Sequence, residues 1–321
     1  MVGCMPTGKG GRDMNEDKSL TLSLVTGAAG FIGSNLVDYL LDKGHQVIAL
    51  DNESANNDNF HWNDKAINVK GDITDYAFMK NVISRNVDYV FHLAAESRLQ
   101  PAIENPIEAI HKNCVGTTVI LQCALEAGVK RFVYSSTSSG YGNNPWPNDE
   151  TQPDDCLNPY SASKVAAEKF CKMYFNLYGL ETVSLRYFNV FGDRSPTRGQ
   201  YAPVIGIFQR QKEEGKSLTI VGTGEQRRDF VHVKDVARAN YLASIMPIKK
   251  SGHDYGGEVF NVGSGKNYSI KEIADCIDTK QINIPERGGE MDTTLANIDK
   301  IGKVIGWTPE IDVMEWINGQ K

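Results

Sequence analysis

An α/β chain built on a doubly wound parallel sheet, with a smaller C-terminal α/β unit, is what this sequence predicts, and three observations predict it. From Thr21 onward apolar strand-like runs alternate with stretches of helical periodicity. A glycine-rich turn joins the first of those strands to the first helix. After Gly192 the texture changes to turn-rich, mixed segments. Strands that alternate with helices lie parallel, with crossovers covering both faces of one sheet. The 321 residues suffice for one large or two smaller units with a substantial core.

The elements follow in order. Residues 1–19 are glycine-rich and charged without an apolar run, which reads as a mobile extension and not as a signal peptide. LTLSLVTG is a strand ending at Gly27, GFIGSNLVDYLLDKG has helical spacing with a stop at Gly44, and HQVIALD is a second strand. VDYVFHLAA is another strand, followed by a long helical stretch through NCVGTTVILQCALEAG. VKRFVYSS is a strand, SASKVAAEKFCKMYFNLYG an amphipathic helix, and LETVSLRYFNVFG closes the run. Beyond it, DRSPTRGQYAP is a loop, and SLTIVGTGEQRRDFVHVKDVA reads strand, loop, strand, helix, with the chain returning to the main sheet around RDFVHVKDVARANYLAS. These readings assign residues 20–187 and 229–263 to the large unit and 188–228 and 264–321 to the smaller one.

Composition excludes several classes. A net charge of −6 argues against a nucleic-acid partner held by general electrostatics, while leaving room for a small anion on a few local arginines. No stretch approaches the ~18 apolar residues of a membrane span. The six cysteines (Cys4, Cys114, Cys123, Cys156, Cys171 and Cys276) form no CxxC pair and are expected to be unpaired thiols, as in the cytoplasm.

Two motifs carry chemistry. TGAAGFIG sets Gly27, Gly30 and Gly33 between a strand and a helix: the first permits the tight turn, the second lets backbone approach a pyrophosphate, and the third lets helix pack on strand. This is the Rossmann arrangement, in which the pyrophosphate faces the free N–H groups at the helix start. The next strand ends at Asp51, an acid that can accept both ribose hydroxyls and would repel a 2′-phosphate, so NAD is expected over NADP. The second motif, NPYSASK, sets Tyr160 and Lys164 on one face of a helix. A phenol with an ordinary pKa of ~10 is a poor base at neutral pH, and a nearby cation would favour its phenolate. The pair is therefore a candidate proton acceptor coupled to hydride transfer.

Together with HLAA, RYFNVFG, GTGEQRRDFVHVKDVA, VFNVGSG and PERGGEM, these motifs resemble the extended short-chain dehydrogenase/reductase family of nucleotide-sugar enzymes, over about Leu20 to Trp307. Within it the chain most resembles UDP-glucose and UDP-N-acetylglucosamine 4-epimerases. The resemblance implies an NAD-binding large unit and a nucleotide-sugar-binding smaller one. Phe31 and Ile32 would join the glycines at the cofactor, with Asn52 beside Asp51. Asp72 and Ile73 would flank the adenine, and Leu93, Ala94 and Ala95 would line the cofactor with Asn113 nearby. Thr137 would hydrogen-bond the sugar O4 beside Tyr160, and Phe188 would touch the nicotinamide side. Asn189, Arg228 and Arg287 would hold the substrate diphosphate, guanidinium forks matching phosphate oxygens, and Glu290 would take the uridine ribose. Arg227 is expected to be solvated, His232 to be a packed strand residue, and His61, His92 and His111 to have no role in the chemistry. The helical stretches from Pro106 and Ser161 would pair with their copies in a homodimer.

The loop STSSGYG narrows the reaction. A 4,6-dehydratase resembles its relatives in carrying Asp-Glu after the threonine, and a uronate decarboxylase carries a glutamate two places on; here those places hold Ser138 and Ser139. Reversible hydride transfer at C4 needs hydroxyls alone, which points to 4-epimerisation, with a UDP-glucuronate 4-epimerase as the alternative. A non-catalytic NAD sensor on this fold would be expected to lack Tyr160 or Lys164. The pattern departs from the family at Gly140, where an apolar residue is common. Thr294, where a tyrosine resembles the arrangement in epimerases restricted to UDP-glucose and UDP-galactose, is expected at the sugar-pocket wall. Its smaller side chain would admit UDP-N-acetylglucosamine alongside UDP-glucose.

Overall fold

A computed structural model describes residues 20–55, 60–84, 86–198, 202–250, 252–285 and 292–320. In chain order the strands are β1 (Leu22–Thr26), β2 (Gln46–Asp51), β3 (Ile67–Lys70), β4 (Tyr89–His92), β5 (Arg131–Thr137), β6 (Thr182–Tyr187), β7 (Asn189–Phe191), β8 (Leu218–Val221), β9 (Arg227–His232), β10 (Lys249–Lys250), β11 (His253–Asp254), β12 (Glu258–Val262), β13 (Asn267–Ser269) and β14 (Gln281–Ile284). Seven of them form one sheet in the order β3-β2-β1-β4-β5-β6-β12, parallel throughout. The order turns back between β1 and β4, and at that point the carboxyl ends of the strands leave a crevice.

The helices are α1 (Phe31–Asp42), α2 (Tyr76–Ile83), α3 (Leu99–Glu104), α4 (Pro106–Ile110), α5 (Thr117–Ala127), α6 (Pro159–Tyr178), α7 (Val204–Glu213), α8 (Val233–Ile245), α9 (Ile270–Ile277), α10 (Asp299–Ile305) and α11 (Val313–Gly319). Both faces of a parallel sheet must be covered, and strand residues alternate between two cores. Leu24, Ile48, Val90 and Phe132 pack with α2, α5 and α6. Their neighbours Val25, Val47, Phe91 and Val133 pack with α1 and α8. The helix α6 starts where Asn158 and Ser161 form a capping box ahead of Pro159, and it stops at Gly179 with φ +75°. The long helical stretch is interrupted: α4 runs into a π-turn over His111–Gly116 before α5 begins.

The smaller unit has its own core around Phe208, Ile220, Phe230, Ile273 and Ile317. There β9 pairs with β7 and β13 in a three-stranded sheet, and β8 pairs with β14. Two segments depart from the division expected at residues 229 and 264. The strand β9 belongs to the small sheet, and the chain re-enters the large sheet only through α8, which packs on α1, and β12, which pairs with β6. Conversely Ile301, Val304 and Trp307 join the large core, because α10 packs on β12. The strand β3 and helix α2 were not expected: β3 is a mostly exposed edge strand of four residues, too short for its alternation to stand out.

Candidate active site

The glycine turn is fixed by close approach. Gly27 has φ +69°, and a β-carbon there would lie 2.8 Å from the Ala94 nitrogen; one on Gly33 would lie 2.0 Å from the Gly27 carbonyl oxygen. Neither position tolerates a side chain, so the turn stays tight and α1 packs directly on it. Gly30 caps α1 without a side-chain hydrogen bond, which leaves the first N–H groups of the helix directed at the cleft. Gly27, Gly30, Phe31, Ile32 and Gly33 all line that cleft, whose volume is about 550 Å³.

The end of β2 faces the same space. Asp51 Oδ2 accepts from Ala29 N–H at 3.1 Å and Oδ1 from Glu53 N–H at 2.8 Å. Burial pushes its carboxyl above the usual range, and the backbone donors oppose that shift. Asn52 donates to Asp72 at 3.0 Å, and Asp72 also takes the N–H and hydroxyl of Thr74. Asp51, Asn52, Asp72, Ile73, Leu93, Ala94 and Ala95 all reach the cleft wall. A side-chain-free cradle at a helix start, with a buried acid at the end of the next strand, fits a dinucleotide with a free ribose diol.

Tyr160 and Lys164 lie on that wall. Burial raises the Tyr160 phenol above its ordinary value, a Thr137 hydrogen bond works in the other direction, and the Glu96 charge adds to the rise. Lys164 Nζ sits 4.4 Å from the centroid of the Tyr134 ring, and burial pushes its pKa down to about 8. Lys164 faces the Tyr134 ring, and burial is the largest influence on the Tyr160 phenol. Thr137 ends β5 and caps the short 3-10 turn Ser138–Tyr141 by accepting from Ser139 N–H at 3.1 Å. Gly140 has a local reason, since a β-carbon there would lie 2.6 Å from Val165 on α6.

Other residues sit differently from expectation. Asn113 is buried and spent on protein partners, bonding both backbone groups of Glu96 and the Ser163 hydroxyl. Phe188 packs with Tyr141 and Ala296 in a small apolar cluster. Arg227, expected to be solvated, bonds Asn267 and pairs with Glu272 at 3.2 Å. Asn189 and Arg228 line a second cleft of about 390 Å³, which shares Ala202 and Pro203 with the first. Thr294 is on the wall of neither cleft: it is 3 % exposed, and its hydroxyl accepts from Asp229 N–H at 3.1 Å and from Asn189 at 3.3 Å. Arg287 and Glu290 lie outside the described residues. His232 is buried and caps α8, and His92 is buried between Thr26 and Thr117.

Sequence reasoning missed Ser136, Glu96 and Arg98, which also line the first cleft. Ser136 hydrogen-bonds the buried Glu168, which takes a fork from Arg186 at 2.8 and 2.7 Å. The signal for Glu96 was its place directly after Leu93, Ala94 and Ala95, on a loop already facing the cofactor.

Comparison with known proteins gives this geometry a context. Residues 23–263 match the NAD dependent epimerase/dehydratase family. The chain is 35 % identical to a UDP-glucose 4-epimerase of Mycolicibacterium smegmatis, covering 92 % of this chain and 96 % of that protein. A UDP-glucose 4-epimerase of Thermotoga maritima, solved with UDP-glucose, superimposes with a TM-score of 0.86 at 32 % identity, over 93 % of this chain and 96 % of that one. A UDP-N-acetylglucosamine 4-epimerase of Methanobrevibacter ruminantium, in complex with UDP-N-acetylmuramic acid, gives 0.84 at 32 % identity, over the same shares. With the glycine cradle, Asp51, Tyr160 and Lys164 on one cleft, the chain belongs to the NAD dependent epimerase/dehydratase family.

Proposed function

We propose that the chain inverts C4 of a UDP-hexose, using Tyr160 and Lys164 on the wall of the first cleft and Thr137 beside the phenol. One observation supports this reading: Tyr160, hydrogen-bonded to Thr137, lies on the cleft that also holds the glycine cradle and Asp51, and the loop from Thr137 to Gly140 supplies hydroxyls without an acid. Bound NAD supplies the hydride acceptor for C4 and the donor that returns it. Tyr160 takes the O4 proton as the alcohol is oxidised to a 4-ketose and gives it back when the ketose is reduced on its other face. Thr137 donates to the phenolate or to O4, so that charge moves between two groups already hydrogen-bonded. With its pKa pushed down to about 8, Lys164 keeps its ammonium at neutral pH and loses it above that value.

Asn189 and Arg228 on the second cleft are suited to the diphosphate, since the two clefts join at Ala202 and Pro203. Neutral sugars, UDP-glucose and UDP-N-acetylglucosamine, are the proposed substrates; the two solved relatives support them, and the buried Thr294 contributes no size argument. A homodimer is part of the proposal: Ile107 at 82 % and Leu177 at 67 % exposure, with Ile110 and Tyr178, leave apolar surface on α4 and α6. The cytoplasm is the proposed compartment. The test is incubation with UDP-glucose, UDP-N-acetylglucosamine and UDP-glucuronate and separation of the products. A C4 epimer of a neutral sugar is expected; loss of water or of carbon dioxide instead would overturn the reading.

A further inference from the structure

We propose that Glu96 is a specificity-determining residue of the sugar site, its carboxylate selecting neutral hexoses over uronates; this rests on the UDP-sugar reading above. The hydroxyl loop after β5 carries no acid, but the loop after β4 brings one to the same cleft wall as Tyr160. Its position is built. Asn113, 1 % exposed in the π-turn, accepts from Glu96 N–H at 2.8 Å and donates to the Glu96 carbonyl at 3.0 Å, while its amide also reaches the Ser163 hydroxyl at 2.9 Å. Both backbone polar groups of residue 96 are thus held by one buried amide on a neighbouring helix. The carboxylate, 14 % exposed, then meets Arg98, whose Nε lies 3.1 Å from Oε1 and whose Nη2 lies 3.4 Å from Oε2.

Glu96, Arg98 and Tyr160 line one cleft, so the acid and its guanidinium fork stand where a sugar would meet the phenol. Any sugar that offers O4 to Tyr160 carries its C6 group on the adjacent carbon, C5. A C6 carboxylate therefore enters the same field, in a partly buried cleft where like charges repel more strongly than in water. The guanidinium is already shared with both Glu96 oxygens, so a uronate must either break that fork or sit beside a carboxylate. A hydroxymethyl group meets neither cost.

The test compares kcat/KM for UDP-glucuronate and UDP-glucose in the wild type, Glu96→Gln, Glu96→Asp and Arg98→Gln. The wild type is expected to prefer the neutral sugar. Glu96→Gln should raise the uronate-to-glucose ratio by about tenfold or more, Glu96→Asp should keep it near wild type, and Arg98→Gln should lower it by stripping the counter-charge. An unchanged ratio in Glu96→Gln, or a wild type that prefers UDP-glucuronate, overturns the inference. Should Glu96→Gln fail to fold, Arg98→Gln decides, since a ratio that stays or rises there also overturns it. A folded, NAD-loaded wild type inert on every UDP-sugar would instead overturn the reading of the site itself.

Discussion

The two clefts are assembled in opposite ways. The first is made where neighbouring strands end: the glycine turn follows β1, Asp51 closes β2, Leu93 to Ala95 follow β4, and Ser136 lies in β5. Each piece is a short contiguous run, and its chemistry is set by the strand it leaves. The second takes Asn189 from β7 and Arg228 from β9, and is braced from behind by Thr294, bonded to residues 65 and 105 positions away. A site made of contiguous runs at strand ends announces itself in sequence; one held by distant hydrogen bonds does not.

The largest expected effect strikes the support under the first cleft. Glu168 and Arg186 are both almost fully buried, and the pair is braced by Asp154 and by Tyr141, whose ring lies 4.6 Å from the guanidinium. Glu168→Leu leaves a buried guanidinium with half its partners, at a cost of about 3–5 kcal/mol. Replacing Arg186 with Met in the same chain should recover much of that loss. Thermal unfolding of the single and double variants checks it; a single variant as stable as wild type would mean that the catalytic loop does not depend on the pair.

Next in size is Tyr160→Phe, which removes the proton acceptor and keeps the ring. Turnover should fall by ~10²-fold or more while NAD content stays that of the wild type. The result separates chemistry from cradle: near-normal turnover would move the base elsewhere, and lost NAD would show that the phenol also holds the cofactor.

Legibility in the sequence followed the same division. The alternation from β1 to β6, β3 and α2 apart, was visible because parallel strands buried on both faces are apolar runs bounded by glycine, and the glycine turn because no side chain fits at Gly27 or Gly33. The return through α8 and β12 was placed one strand early, since DFVHV is as apolar as a central strand although it sits in the small sheet. Thr294 was assigned by counting along a motif, and counting cannot show that its hydroxyl is already spent on Asp229. Tyr160 and Lys164 share α6 and line one cleft, but the place of the ammonium beside the Tyr134 ring depends on β5, which helix spacing does not show.

A third prediction sharpens the contrast at that threonine. Thr294→Val keeps the shape and removes the acceptor, leaving the Asp229 N–H buried without its bond, at about 1–3 kcal/mol. Because Asn189 shares that hydroxyl, KM for the UDP-sugar should rise while NAD binding is unchanged. If instead NAD affinity falls and KM holds, the two clefts are mechanically one.

The smallest effect near neutral pH is a dependence on pH confined to the first cleft. His92 is buried with Nδ1 2.7 Å from the Thr26 hydroxyl and Nε2 3.0 Å from that of Thr117. Thr26 in turn accepts from the N–H groups of Leu93 and Ala94, each at 3.2 Å, on the cofactor loop. Burial, with the Lys164 charge adding to it, pushes His92 down to about 3 from an ordinary 6.5. Between those values the unfolded chain binds a proton that the folded chain refuses. Stability from this group is therefore fully present above pH 6.5 and is lost as pH falls toward 3, at no more than ~1.4 kcal/mol per pH unit. Urea midpoints of the wild type and His92→Asn, measured from pH 7 to pH 4, should converge as the pH falls, because the asparagine has no proton to refuse. Hydrogen exchange at pH 5 should show the amides of Leu93 and Ala94 losing protection before those of β9. If β9 opens first, the small sheet is the weaker half, and the acid sensitivity of the molecule lies there and not at the histidine.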